Sequence, residues 1–217
     1  MSRKPMSNEP MFNIQERVPM VLGGVLMAIH LVTSLAPGTL GVFARTWALL
    51  VPMDTQGLPM ARQLFSLLGA GFLHGSWTHV LLNTGMIVAF AVITLRGIRA
   101  LGQSRRFSGR KPLASPEVIF LVIFALGVIG GNLFQWGWWA ATDVTRAAAL
   151  GASGGGSALF ATAAWAMGGR EKLIKFAGGW ALLNVIVVLG AAIFGPVAWP
   201  AHIGGFVVGA MLAPYLV

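Results

Sequence analysis

A serine stands among glycines in Gly151-Ala152-Ser153-Gly154, and a histidine stands beside glycines in Ala201-His202-Ile203-Gly204-Gly205. Each lies just inside a long apolar run. A serine hydroxyl is a weak nucleophile until a base takes its proton, and neutral imidazole is the usual base. Buried in lipid, such a pair has the parts needed to hydrolyse peptide bonds within a membrane. The two side chains must meet at roughly 2.6–3.2 Å between heavy atoms. Whether they do depends on the elements that carry them.

Composition fixes the class of those elements. Hydrophobic residues make up 56% of the 217 residues and charged residues only 10%, against roughly a quarter charged in soluble domains. This is the composition of a membrane protein, with room for about six spans of roughly 20 residues in one domain. The net charge of +9 raises the question of nucleic acid, which the placement of the charges answers below. With no cysteine, disulfide and thiolate chemistry are excluded. Residues 1–17 form a short polar tail without the apolar core and cleavage site of a signal peptide, so the first span is expected to be retained.

Six apolar segments are read at 18–36, 78–98, 116–135, 150–168, 176–194 and 201–217. The expected fold is all-α: a polytopic bundle of six transmembrane helices over residues 18–217. Residues 37–75 are too long for a turn and too interrupted for a span. Their middle, 40–50, is expected to lie partly in the interface.

Lysine and arginine orient the bundle. The tail holds three, the connection after the second segment six, and that after the fourth three; Arg45, Arg62 and Arg146 alone occupy the alternate loops. That bias places both termini in the cytoplasm, with a bacterial inner (plasma) membrane as the expected location. Trp47, Trp77, Trp136, Trp138, Trp139 and Trp199 then fall at outer span ends, and Trp165 and Trp180 near inner ones, as in aromatic belts. The positive charge reads as an orientation signal with headgroup contacts, not a nucleic-acid footprint.

With this topology the second, fourth and sixth segments run in the same direction. His79, Asn83, Ser153 and His202 each lie within about 10 Å of the outer end of their helix, at roughly 1.5 Å per residue. One shared depth, close to water, suits a hydrolytic site. Close approach has its means too. Ala201, Gly205, Gly209 and Ala213 recur at every fourth position, and Gly151, Gly154, Gly155 and Ala158 line the fourth segment. Such stripes let transmembrane helices pack backbone to backbone.

On these residues, together with the block from Phe72 to Asn83 (Phe-Leu-His-Gly-Ser-Trp-Thr-His-Val-Leu-Leu-Asn), the chain resembles the rhomboid family of intramembrane serine proteases. The resemblance spans all six segments, with the motifs in the family's order. It implies a serine–histidine dyad, with Ser153 as nucleophile and His202 as general base. It implies an oxyanion hole from the side chains of His79 and Asn83 and the backbone N–H of Ser153, and a supporting role for His74. Gly151, Gly154, Gly205 and Gly209 are the packing positions. The implied partners are transmembrane, single-span protein substrates and the lipid bilayer, with neither cofactor nor metal.

Some positions depart from that pattern. Ser157, one turn after the nucleophile, is commonly an aromatic that packs against the base; another ring must hold His202, or it is less ordered. The family's Trp-Arg pair has no match in Arg45-Thr46-Trp47. The spans are read as free of acids, so a full triad is not expected; Asp143 is the nearest candidate. The same lack excludes aspartyl chemistry, and no HExxH sequence is present. His30, inside the first segment, is read as a hydrogen-bonding link to a neighbouring helix. Two alternatives stand beside the protease: a catalytically inactive relative that binds client helices, and a small transporter using His74, His79 and Asn83 as a relay.

Overall fold

Two serines start the longest helices. Ser76 accepts a hydrogen bond from the His79 N–H at 3.2 Å and opens α4, Trp77–Phe107. Ser115 accepts from the Val118 N–H at 3.3 Å and opens α5, Pro116–Ala141. In α5, proline takes the first helical position, where its missing N–H costs nothing. A computed structural model of the chain describes residues 16–36, 38–190 and 197–217. Most of the expected tail, Pro37, and the end of the fifth expected segment (191–194) lie outside the described residues.

The remaining helices are α1 (Arg17–Ser34), α2 (Thr39–Trp47), α3 (Met60–Gly69), α6 (Ser153–Ala166), α7 (Gly169–Leu189) and α8 (Trp199–Leu216). The fold is an all-α membrane bundle. By length and apolar composition α1, α4, α5 and α7 are each able to cross a membrane. The shorter α6 lies at the centre, buried without a break from Gly154 to Leu159, with α4, α5, α7 and α8 packed around it. Leu26, Ile87, Leu95, Phe120, Ile123 and Leu159 form the core beneath the site.

Several helix ends differ from the sequence expectation. Helix α4 continues past residue 98 through Arg99, Arg105 and Arg106, because arginine, leucine and glutamine propagate helix outside the apolar region as well as within it. Helix α7 starts at Gly169 rather than 176 for the same reason, with Lys175 reaching back to Glu171 at 2.7 Å. Helix α6 starts at Ser153 rather than 150. The residues before it pair instead, Ala148–Ala149 (β2) running antiparallel to Leu49–Leu50 (β1). Glu117 is an acid inside an expected segment; it lies in the first turn of α5 and pairs with Arg99 at 3.6 Å, while Arg99 also forms a two-pronged bridge to Glu16.

The long connection after α1 is built rather than loose. Residues 40–50 form most of α2 and all of β1, and 3-10 turns at Pro52–Thr55 and Ala70–Phe72 bracket α3. The Arg62 guanidinium closes α2 by donating to the carbonyls of Arg45 (2.9 Å) and Ala48 (3.0 Å). The Ala70 carbonyl accepts from the Gly151 N–H at 2.8 Å. This connection is thereby tied to the segment that delivers Ser153.

Candidate active site

Backbone-to-backbone packing of α5, α6 and α8 determines where the reactive groups lie. A β-carbon at Gly205 would overlap the Gly154 carbonyl, and one at Gly209 would overlap the Ala158 backbone. Gly127 and Gly131 of α5 close against Gly154, Ala158 and Ala201 in the same way. Ser153, the first residue of α6, and His202, in the first turn of α8, therefore flank this close crossing; both are half-buried. The hydrogen bonds these residues make go elsewhere. The Ser153 carbonyl accepts from Ser157 Oγ at 2.7 Å, and His202 Nδ1 pairs with Asn184 Oδ1 at 2.7 Å.

Beside the serine, the conformation of Gly151 decides the shape. Its φ is +125°, a region that L side chains rarely adopt, and a β-carbon there would lie 2.7 Å from His79 Nε2. Gly151 is thus not a helix-packing glycine like Gly154, Gly205 and Gly209. It lies ahead of α6 and lets the imidazole of His79 close over the backbone that leads to Ser153. The Asn83 amide nitrogen is 3.9 Å from the same point. That nitrogen spends one N–H on the His79 carbonyl at 3.0 Å and has a second to give. The first-turn N–H groups of α6, that of Ser153 included, have no partner within the helix. Two side-chain nitrogens thus lie beside Gly151, two residues ahead of the α6 N-terminus with its unpartnered N–H groups.

His74 lies in the connection just before α4, outside the spanning segments, with no exposed surface. Its Nε2 accepts from the Ala152 N–H at 3.4 Å, and its ring stands edge-on to His79 with centroids 5.0 Å apart. Burial, with lesser contributions from His79 and His30, pushes its pKa down to about 3, so the ring is neutral and able to accept. His30 supports it from α1: its Nδ1–H donates to the His74 carbonyl at 3.1 Å. The histidine in the first segment is a link between elements.

The structure also answers what holds His202. Ser157 is fully buried and supplies no ring. Asn184 and Trp180 of α7 flank the imidazole instead, the Trp180 ring 6.3 Å away and stacked on Phe160 at 4.7 Å. Trp180, expected in an interfacial belt, is buried at mid-helix. Asp143 is exposed in the turn after α5. Sequence reading passed over Asn184; its one signal was an amide in the middle of an apolar run, where polar groups are costly unless partnered. It also passed over Gly127 and Gly131, whose four-residue spacing matched the stripes noted on α6 and α8. Among the described residues no group of His, Asp and Glu is set to hold a metal ion.

A family model described as the Rhomboid domain matches residues 61–217, the stretch that carries α3 to α8 and every candidate site residue. No curated protein matches the chain.

Proposed function

This chain belongs to the rhomboid family of multi-pass integral membrane proteins, and on that premise we propose that it is an intramembrane serine endopeptidase acting through Ser153 and His202. The single observation that supports this most is the overlap-close crossing of α6 and α8 at Gly154 and Gly205, one residue from Ser153 and three from His202.

In the proposed reaction Ser153 Oγ attacks the scissile carbonyl while His202 Nε2 takes the hydroxyl proton, and a carbon–oxygen bond forms. His79, Asn83 and the Ser153 N–H donate to the oxyanion of the tetrahedral intermediate; each such donor contributes on the order of 3 kcal/mol. The carbon–nitrogen bond then breaks as His202 returns the proton to the departing amine. Water, with the same base, hydrolyses the acyl-enzyme.

The expected substrates are single-span proteins cut near the outer surface, in a bacterial inner membrane with both termini cytoplasmic. A helical backbone hides its carbonyls in hydrogen bonds, so a target must unwind locally, which favours segments rich in small, helix-weakening residues. The test is covalent labelling of the purified protein by a fluorophosphonate probe, alongside cleavage of single-span reporters. Wild type should label and cleave, and Ser153→Ala should do neither. An unlabelled wild type, or labelling that survives Ser153→Ala, refutes the proposal.

A further inference from the structure

Helix α7 turns most of its surface outward, and its two buried residues are Trp180 and Asn184. Four positions apart, they share one face, and both meet His202. A buried amide is costly unless its polar atoms are partnered. Asn184 meets that condition in one orientation. Its Nδ2 donates to the Trp180 carbonyl at 2.9 Å, and its Oδ1 faces His202 Nδ1 at 2.7 Å. Turned over, the amide would set its own oxygen against the Trp180 carbonyl oxygen, so the network decides the assignment. An oxygen facing Nδ1 requires the proton to be there. The lone pair is then on Nε2.

We propose that Asn184 is a positioning residue that holds His202 in its Nδ1–H tautomer with Nε2 free as the base, so that the site is a Ser153–His202–Asn184 relay with an amide in the place usually taken by an acid. The proposal deepens the protease reading above and rests on it. Its physical content is orientation. An imidazole without a second anchor turns about its side-chain torsion and takes either tautomer, and a base with its proton on the wrong nitrogen is inactive; in a serine protease of another fold that error lowers kcat by about 10⁴. Ser157 offers the ring no aromatic support here, and Trp180 and Asn184 of α7 provide it.

The experiment measures fluorophosphonate labelling rate against pH for full-length wild type, Asn184→Leu, Asn184→Asp and Ser153→Ala, with thermal unfolding of each. His79 is the other ionisable group acting on His202 and is common to all four. Asn184→Leu should slow labelling about tenfold or more, since general-base catalysis is typically worth 10²- to 10⁴-fold. Asn184→Asp should retain labelling and move its pH dependence upward, because a carboxylate stabilises the imidazolium. A structural role alone would leave the pH dependence unmoved and lower labelling only in step with thermal stability; that result overturns the proposal. Wild-type rates and pH profile in Asn184→Leu overturn it too, with the Ser153 chemistry intact. A wild type that labels no better than Ser153→Ala removes the protease reading itself.

Discussion

Gly205 of α8 lies against the carbonyl of Gly154 of α6 so closely that no β-carbon fits between them. The carbonyl is backbone and cannot rotate away, so any side chain at 205 must drive the two helices apart. This contact, one residue from Ser153 and three from His202, sets their separation.

Gly205→Ala should therefore be costly. Overpacking of this kind costs about 1–3 kcal/mol, and because Ser153 and His202 ride on the displaced helices, the proposed reporter cleavage should fall further than stability does. Gly178→Ala is the matched control: a β-carbon at Gly178 meets nothing within 4 Å, and removing a helical glycine adds up to about 1 kcal/mol. Thermal unfolding and reporter cleavage of the two variants check both halves.

Gly151→Ala tests the turn before Ser153. It introduces a β-carbon at φ +125° and pushes it into the His79 ring. A strained backbone of this type costs on the order of 1–3 kcal/mol. Since His79 is displaced in the same step, kcat should drop while KM for the reporter stays near wild type. Wild-type kcat would show that His79 need not close over Gly151.

The neutral His74 makes stability depend on pH in a stated direction. Unfolded, its imidazole protonates near pH 6.5; folded, it resists until about pH 3. The unfolded state binds the proton first as pH falls, so the full stability is present above about pH 6.5 and declines toward pH 3. Thermal unfolding followed from pH 7.5 downward should show a shallower decline in His74→Gln, which accepts a hydrogen bond but does not titrate. Identical slopes would show that another group is responsible.

Arg62 closes the C-terminus of α2 with a fork of donors. Hydrogen bonds from a charged donor are worth about 1.5–3 kcal/mol when partly buried. Arg62→Ala should accelerate limited proteolysis between residues 48 and 58, and Arg62→Lys should fail to restore resistance, because an ammonium is a point charge without the fork. Full rescue by lysine would reduce the interaction to simple charge.

Much of this architecture was legible in the chain. Apolar runs interrupted by basic connections gave the all-α bundle, and the stripes Gly205–Gly209 and Gly154–Ala158 gave the helix pair that carries Ser153 and His202. Helix ends were less legible. The basic continuations of α4 and α7 are good helix formers whose polarity looked like connection, and Gly151 looked like helix until its positive φ placed it outside.

What the sequence determined by itself was the solvent, the helices and the candidate pair Ser153 and His202, because those follow from local hydrophobicity, spacing and residue chemistry. The tertiary structure alone decided what surrounds the pair. Asn184 meets His202 across 18 positions of sequence, His74 meets Ala152 across 78, and Ala70 meets Gly151 across a similar gap. No local pattern encodes such contacts; they arise when close-packed glycines fix the depth and rotation at which the facing helices meet.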